Sequence, residues 1–251
     1  MKKPSYKDIY RLESSSWWKN YWWRQGRDFT ASLLLKRFVK PDKKNRILDV
    51  GCGIGETSKK LTSFGQVLGI DSSAEAVKLA QKNGLKNAKV MDLTKLSFLK
   101  NSFELVTAFD VLEHIKNDQK AIQEIFRVLK NKGIFLLTVP AYNWLWSEHD
   151  KVLGHKRRYT KNQLEKKLKK AGFKVLKSSY IITSFLLPIA FFRFCQKVLK
   201  KRSPKTSYVI LPQFLNFILA FILKLEGILL NLVNLPFGVS LICVAQKYEE
   251  T

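Results

Sequence analysis

Short apolar runs alternate with helical patterns along the chain from residue 46 onward. The runs are rich in β-branched residues and stop at Gly, Asp or Pro, as strands do, and several of the segments between them begin with a Ser or Thr cap. The predicted strands are residues 46–50, 66–71, 87–92, 103–110, 133–140, 173–182 and 237–247. The helix before the fifth strand is predicted to end at residues 131–133. This alternation predicts a parallel, doubly wound α/β sheet.

Two segments depart from that alternation. Residues 5–40 are amphipathic and hold four of the six tryptophans, namely Trp17, Trp18, Trp22 and Trp23. A later segment is dominated by Phe, Leu and Ile, with a basic hinge, KKRSPK, between two apolar parts. The predicted organisation is an N-terminal helical cap over 1–45, a core domain over 46–182 and 236–248, and a hydrophobic helical insertion over 183–235.

Most of the net charge of the chain lies on either side of a nearly neutral central stretch, residues 47–140. The 251 residues include 45 Lys and Arg against 20 Asp and Glu, a net charge of +25, and residues 47–140 carry only +3 of it. Such an excess predicts an anionic partner: nucleic acid, a membrane surface or a phosphorylated substrate. The three scattered cysteines argue against a disulfide framework and fit a reducing compartment. The N-terminal residues lack the apolar stretch of a signal peptide.

A glycine-rich loop follows the first predicted strand. The sequence LDVGCGIG spans residues 48–55, and Gly51 and Gly53 allow a tight turn and a close approach to a ligand. Its spacing is G-x-G-x-G, which differs from the pyrophosphate-binding G-x-G-x-x-G of nicotinamide dehydrogenases. Asp49 stands immediately before the loop, where it would repel pyrophosphate and suit a cationic amino-acid group.

Acidic residues also end the next two predicted strands. Asp71 is placed to accept hydrogen bonds from both hydroxyls of a ribose, and Asp92 from the amino group of an adenine. Three acids at successive strand ends favour a nucleoside-binding edge over surface acids that merely follow strands.

As a set, these motifs resemble the class I S-adenosylmethionine-dependent methyltransferases, type 11/23-like. The resemblance rests on LDVGCGIG, Asp71, MDL at 91–93, AFDVLEHI at 108–115 and RVLKNKGIFLLTVP at 127–140. It implies S-adenosyl-L-methionine as cofactor and a Rossmann-like seven-stranded sheet with six parallel strands and an antiparallel last strand.

The resemblance also implies roles for individual residues. The glycine loop would hold the methionine part, Asp71 the ribose and residues 91–93 the adenine, while Phe109 and Asp110 would lie beside the sulfonium. Arg27, in an aromatic helix before the fold, would face the cofactor carboxylate. The implied cofactor-binding residues are Arg27, Asp49, Gly51, Cys52, Gly53, Gly55, Asp71, Ser72, Met91, Asp92, Leu93, Phe109 and Asp110.

All three histidines fall beyond strands four and five, where ligands bind in such sheets. The candidate catalytic residues are His114, His149, Asp150 and His155. An imidazole can accept a hydroxyl proton, and Asp150 could orient a histidine or act itself. For any single histidine, a hydrogen bond within a loop is an equal alternative. Glu113 with these residues matches no standard metal-ligand spacing, so no metal is predicted.

A basic cluster follows His155 directly. Arg157 and Arg158, with Lys156 and Tyr159, form a pattern that suits a phosphate or carboxylate group on the acceptor. A solvated basic loop is the alternative. The candidate substrate-binding residues are Arg157, Arg158 and Tyr159.

Three hypotheses account for the insertion: a helical lid over the acceptor pocket, a homodimer interface, or an in-plane membrane anchor. Apolar residues occupy most of the helical wheel of its second part. The anchor hypothesis adds a basic cluster that meets anionic headgroups, formed by Lys197, Lys200, Lys201, Arg202 and Lys205. A clean membrane-spanning helix is not expected, since Pro212, Gln213, Asn216, Lys224 and Glu226 interrupt the run.

The sequence therefore predicts a cytoplasmic methyltransferase, peripheral on the inner face of the cytoplasmic membrane. Its expected reaction is O-methylation of a lipid-linked, quinone-like or saccharide acceptor at the membrane surface. The alternatives are methylation of RNA or another small molecule, and a non-catalytic cofactor-binding scaffold. Nucleic acid is the weaker partner, because no RNA-binding module is recognisable and the insertion is apolar.

Overall fold

The computed structural model describes residues 20–198 and 211–248, apart from the side chains of residues 196 and 197. Its seven-stranded sheet has the order β3-β2-β1-β4-β5-β7-β6. The strands are β1 (Arg46–Val50), β2 (Gln66–Asp71), β3 (Ala88–Val90), β4 (Phe103–Phe109), β5 (Leu129–Pro140), β6 (Phe173–Ile181) and β7 (Ser240–Lys247). Only β7 pairs antiparallel with its neighbours, β5 and β6. The predicted Rossmann-like fold class is confirmed.

Helices cover both faces of this sheet. Those in the described residues are α1 (Trp22–Phe38), α2 (Glu56–Leu61), α3 (Ala74–Lys82), α4 (Asp118–Val128), α5 (Glu148–Val152), α6 (Lys161–Lys170), α7 (Leu186–Val198) and α8 (Gln213–Leu232). Short 3-10 turns follow β4 at Leu112–His114 and β5 at Asn143–Leu145. The predicted Ser and Thr caps are present, since Ser73 caps α3 and Thr160 caps α6.

Strand alternation divides the apolar core into two layers. On β1, Ile47 faces the layer that α1, α3 and α8 cover, whereas Leu48 faces the layer that α4 and α6 cover. Leu105 and Val106 alternate in the same way on β4. Both faces of the central strands are therefore buried, as a doubly wound sheet requires.

Several predicted boundaries were wrong, and the last strand begins at Ser240 and not at residue 237. α4 ends at Val128 and not at residues 131–133, because Leu129 is already buried in the sheet and pairs with Phe103. The turn that was expected to end the helix is an irregular part of β5, where Lys132 has a φ of 63°. The third strand is also shorter than predicted and ends at Val90.

The N-terminal helix packs against the insertion. A Cβ on Gly26 of α1 would lie 2.4 Å from Leu223 Cβ of α8, so the two helices approach as closely as a glycine permits. The backbone N–H of Trp22 donates to Asn216 Oδ1 at 2.9 Å. Trp17, Trp18 and the KKRSPK hinge, with Lys200, Lys201, Arg202 and Lys205, lie outside the described residues.

α8 turns its polar residues toward the protein. Asn216 and Glu226 are buried, and the Glu226 carboxylate accepts hydrogen bonds from the backbone N–H groups of Ile182 and Ser184 in the turn after β6. The outward side chains are large and apolar. They are Phe214, Leu215, Phe217, Ile218, Phe221, Leu225, Ile228, Leu229 and Leu232.

By length and composition, α8 is a candidate membrane-spanning helix. The expectation that polar residues would interrupt such a run was wrong. The helix is continuous over 20 residues, because Pro212 precedes its first turn and the buried polar groups find partners on the protein side. Six of its residues, including Ala220 and Leu223, are nevertheless buried against the domain.

Candidate active site

The glycine loop lies between β1 and α2, at the edge of the sheet where β1 meets β2 and β4. Gly51, Gly53 and Gly55 all have left-handed φ angles, of 68°, 51° and 84°. A Cβ on Gly51 would also lie 2.4 Å from a methyl group of Val111 in the segment after β4. The glycines are thus required both by the backbone conformation and by close packing.

Asp71 is fixed beside this loop. Its two carboxylate oxygens accept hydrogen bonds from the backbone N–H groups of Gly53 at 3.0 Å and Ser73 at 2.9 Å. Burial raises the pKa of the Asp71 carboxyl, while these N–H groups act in the opposite direction. Ser72 is exposed next to it. The carboxylate is therefore held in place at the end of β2, where the sequence predicted a ribose contact.

Asp49 occupies a different environment from the one expected. Only 2% of its surface is exposed, and its oxygens accept hydrogen bonds from the hydroxyls of Ser58 at 2.5 Å and Thr107 at 2.7 Å. Burial raises the pKa of the Asp49 carboxyl to about 6. The expectation of an acid presented to a cationic ligand is corrected in this respect, because both oxygens already tie α2 to β4 beneath the loop.

The predicted adenine-side residues follow β3. Asp92 is exposed, and one carboxylate oxygen accepts from the backbone N–H and the hydroxyl of Thr94. Met91 is half-buried, while Leu93 belongs to the core. Cys52 is also buried, and burial raises the pKa of its thiol. Met91 and Asp92 are thus accessible, whereas Cys52 and Leu93 support the site from beneath.

Arg27 crosses from α1 to the end of β4. Its guanidinium donates to Asp110 Oδ2 at 2.8 Å and to Asp28 Oδ1 at 3.0 Å, and it lies 5.2 Å from the centre of the Phe109 ring. Burial disfavours the charged guanidinium, but Asp28 and Asp110 outweigh this effect and raise the pKa of Arg27. The structure therefore brings together Arg27, Phe109 and Asp110, three residues that the resemblance places near the methionine part of the cofactor.

The hydrogen-bonding groups at the carboxyl ends of β2, β3 and β4 fit S-adenosylmethionine. Carboxylates at the ends of β2 and β3 are acceptors for hydroxyl and amino groups, and the buried guanidinium of Arg27 suits a carboxylate. Glycines at the turn leave the backbone open to a ligand.

A second polar cluster lies beyond β4 and β5, on the other side of Asp110. Its centre is Asp150, which is fully buried and accepts from Arg158 Nε at 2.8 Å. His155 Nδ1 lies 2.9 Å from the same carboxylate. Although burial favours the neutral acid, the hydrogen bonds from His155 and Arg158 hold the pKa of Asp150 below its ordinary range.

His114, His149 and Glu113 complete this cluster. The rings of His114 and His155 are 4.7 Å apart, and those of His149 and His155 are 6.4 Å apart. Burial, with a smaller effect of His155, lowers the pKa of His114 to about 4. Burial and the nearby Arg193 lower the pKa of His149 to about 3. Burial and Asp110 raise the pKa of Glu113 well above its usual range.

The predicted anion-binding fork was wrong in its geometry. Arg158 is 4% exposed and is held by Asp150 and the carbonyl of Ala141. Arg157 lies 2.9 Å from Asp118, and the Tyr159 hydroxyl donates to the same carboxylate at 2.9 Å. Arg158 and Tyr159 are buried and Arg157 is half-buried against Asp118, so the three side chains do not form an exposed fork.

Several supporting residues were not predicted. Asp28 and Thr57 both contact Arg27, Ser58 and Thr107 hold Asp49, and Asp118 holds the segment at 157–159. Adjacency to Arg27 was the only sequence signal for Asp28. Asp118 contacts Tyr159 across 41 positions, a separation that a single sequence does not reveal.

Comparisons with known proteins concern the domain that contains this site. Residues 48–137 match a family model described as a methyltransferase domain. A methyltransferase of Bacillus subtilis, YcgJ, is 34% identical over 101 residues, which are 38% of this chain and 40% of that protein. The ubiquinone biosynthesis O-methyltransferase of Glaesserella parasuis is 29% identical over 137 residues, 47% of this chain and 58% of that protein. Residues 48–137 therefore form a methyltransferase domain of the S-adenosylmethionine-dependent type.

The similarity of this chain to solved structures concerns the fold alone. A phosphoethanolamine N-methyltransferase of Haemonchus contortus, solved in complex with S-adenosyl-L-methionine, is 24% identical with a TM-score of 0.58. The match covers 88% of this chain and 52% of that chain. S-adenosylmethionine is the cofactor of the family. The chain covers less than two thirds of the length of the curated relatives named above.

Proposed function

We propose that this protein transfers a methyl group from S-adenosylmethionine to an oxygen atom of a lipid-linked, quinone-like or saccharide acceptor at a membrane surface. The observation that carries the proposal is the position of α1. Arg27 on α1 reaches Asp110 at the end of β4, and Gly26 beside it packs against α8, whose outer face is apolar. The candidate cofactor site and the apolar surface thus share one helix.

On the cofactor side, the glycine loop would take the methionine part, Asp71 with Ser72 the ribose, and Met91 with Asp92 the adenine. Arg27 would bind the carboxylate of the cofactor in exchange for part of its pairing with Asp110 and Asp28. When bound, the cofactor supplies a methyl group on a sulfonium, which is an activated leaving group. The protein then has to align the acceptor and exclude water.

On the acceptor side, the cluster around Asp150 would face the acceptor from beyond Asp110. The lowered pKa values of His114 and His149 indicate imidazoles that are neutral at pH 7 and weakly basic, so they would accept a hydrogen bond from the acceptor hydroxyl and not its proton. Asp150 would position His155 and Arg158, since both of its oxygens are already engaged. Arg157, Arg158 and Tyr159 would pack behind the cluster around Asp150 and support its side chains.

The membrane part of the proposal rests on α8. Burying a Phe, Leu or Ile side chain is worth about 1.5–3 kcal/mol, and nine such side chains of α8 face outward. The inner face carries Asn216 and Glu226 with partners on the domain, so we favour a helix that lies in the membrane plane over one that crosses it. We place the protein in the cytoplasm, on the inner face of the membrane. An RNA acceptor is disfavoured because the exposed large side chains of α8 are apolar.

Activity is tested with purified protein, labelled S-adenosylmethionine and extracts of membrane lipids. The expected result is a lipid-soluble product that has gained one methyl group, and its loss in an Asp71→Ala variant that remains folded. Cofactor binding without any labelled product from these extracts would favour a non-catalytic scaffold. Product formed only from RNA would contradict the acceptor class.

Membrane contact is tested by flotation with vesicles that contain anionic lipid. The protein is expected to float with the vesicles, whereas a Phe217→Ser/Phe221→Ser variant stays in solution. Leu99→Ser is a matched control, because Leu99 is 82% exposed on another part of the surface. If the wild type does not bind vesicles and light scattering shows a dimer that the double variant lacks, the apolar face is a homodimer interface.

A further inference from the structure

Three potential metal ligands converge in the second polar cluster. Glu113 and His114 belong to the 3-10 turn after β4, and His155 belongs to the segment after α5. One ligand atom from each lies within 4.8 Å of the others. His155 Nε2 is 4.0 Å from Glu113 Oε1, too far for a hydrogen bond but close to the spacing of two ligands on one ion.

The backbone holds the two segments together. The N–H of Lys156 donates to the carbonyl of Glu113 at 2.8 Å, and the N–H of His155 donates to the carbonyl of Asp150 at 2.8 Å. The side chains therefore meet through a fixed arrangement of both segments and not through chance contact of two surface loops.

Glu113 is the second, independent observation. Its side chain is fully buried, and neither carboxylate oxygen has a hydrogen-bond partner among the described residues. An unpaired buried carboxylate costs several kcal/mol, so such a group normally binds a cation or a donor. Arg158 does not supply the donor, because its guanidinium is directed to Asp150 and to the carbonyl of Ala141.

Asp150 also orients the His155 ring toward Glu113. With the proton on Nδ1, His155 donates to Asp150 across 2.9 Å, and the lone pair of Nε2 faces Glu113. A carboxylate that binds the far nitrogen of a ligating histidine is the usual outer partner in metal sites. Arg158 in turn fixes Asp150.

We propose that Glu113, His114 and His155 bind one divalent transition-metal ion, with Zn²⁺ as the representative ion. One carboxylate and two imidazoles suit Zn²⁺, Fe²⁺ or Mn²⁺ better than Mg²⁺ or Ca²⁺, which prefer oxygen ligands. Tetrahedral Zn²⁺ needs ligand atoms about 3.4 Å apart, so the 4.0 Å gap between His155 and Glu113 closes by a small side-chain movement. The proposal departs from the expectation, drawn from ligand spacing alone, that the chain binds no metal.

Three protein ligands leave a coordination position for a small molecule. A hydroxyl group of the acceptor in that position would be acidified by the ion, while His114 and His155 would be ligands and no longer hydrogen-bond acceptors. Binding of the ion itself does not depend on methyl transfer, so the site is tested without the reaction.

The experiment measures metal content and metal affinity. The full-length protein is stripped with a chelator, titrated separately with Zn²⁺, Mn²⁺ and Mg²⁺ in a calorimeter, and checked for folding by circular dichroism. We expect one Zn²⁺ per chain and at least roughly tenfold weaker Mg²⁺ binding. Glu113→Gln and His114→Ala should each weaken Zn²⁺ binding at least roughly tenfold.

His149→Ala is the matched control, because His149 belongs to the same cluster but is not one of the three ligands. Visible absorption of bound Co²⁺ gives a second measurement. The wild type and His149→Ala should show the strong absorption bands of tetrahedral Co²⁺, and Glu113→Gln should not. Equal Zn²⁺ affinity in the wild type and a folded Glu113→Gln variant would overturn the proposal. An equal loss of affinity in His149→Ala would do the same.

Discussion

α4 and α8 are both amphipathic helices of one domain, yet they face opposite ways. α4 buries Ile122 and Ile125 against the sheet, and its charged residues other than Asp118 are exposed or half-buried at the surface. α8 buries Asn216 and Glu226 and turns Phe217, Phe221 and their neighbours outward. The first arrangement is the one that water imposes on a surface helix.

The contrast shows that the sequence pattern of an amphipathic helix separates an apolar face from a polar face. It does not show which of the two faces packs against the protein. α8 is fixed to the domain by hydrogen bonds from Asn216 and Glu226 and by the close contact of Gly26 with Leu223. A narrow inner face is therefore enough to pack α8 against α1. The wide apolar face remains available to contact a lipid surface or another protein.

The largest expected effect concerns the inner face of α4. Ile125→Ala removes a fully buried side chain from the core and should lower the free energy of unfolding by about 4 kcal/mol. Urea denaturation followed by circular dichroism measures this change. A loss below about 1 kcal/mol would show that α4 is not anchored as described, and the contrast with α8 would fail.

The next effect concerns the polar inner face of α8. Glu226→Ala leaves the buried N–H of Ile182 and the N–H of Ser184 without their acceptor and should cost about 3 kcal/mol in the same assay. Glu226→Gln keeps an acceptor oxygen and should cost less. If Glu226→Ala were neutral, α8 would not be fixed to the turn after β6.

Asp49, a buried carboxyl group within the sheet, can be compared with Glu226 on the inner face of α8. Its ordinary pKa is 3.8, and burial raises it to about 6 in the folded chain. Between pH 4 and 6 the folded state keeps a proton that the unfolded state has released, so the contribution of Asp49 to stability falls as pH rises. Over this range, wild-type stability should fall by about 2 kcal/mol more than that of Asp49→Asn. Parallel pH profiles for the two proteins would contradict the buried environment of this carboxyl.

The smallest effect on stability is expected at the outer face of α8. Phe217→Ala/Phe221→Ala should change the free energy of unfolding in buffer by no more than about 0.5 kcal/mol, because both rings are more than half exposed. The same variant should bind anionic vesicles at least about tenfold more weakly. A large loss of stability in buffer would mean that these rings pack within the protein, and α8 would then resemble α4.

Much of the fold could be predicted because its signals are local. The bounds of β1 and β2 follow from β-branched runs that end at Gly51 and Asp71, and Ser73 and Thr160 mark helix starts as side chains that accept backbone N–H groups. The end of α4 was missed because Leu129 joins the sheet through a long-range pairing with Phe103, which overrides the local turn pattern.

The candidate site was predicted less completely, because residue types do not specify pairing. Arg27 and Asp110 were both expected near the cofactor, and the structure brings them to 2.8 Å. Arg158 was expected to face an anionic acceptor, but the acid that it meets is Asp150, eight positions away and buried. A basic run near a buried acid looks the same in sequence as a basic run in solvent.

α1 serves both regions through two successive residues. Gly26 lies beneath Leu223 of α8, and Arg27 reaches the candidate cofactor site. If seating of α8 on a lipid surface steadies α1, thermodynamic linkage makes the effect reciprocal: the factor by which the lipid surface tightens cofactor binding equals the factor by which the cofactor tightens lipid binding. The chain would then hold its methyl donor most firmly where its acceptor is stored.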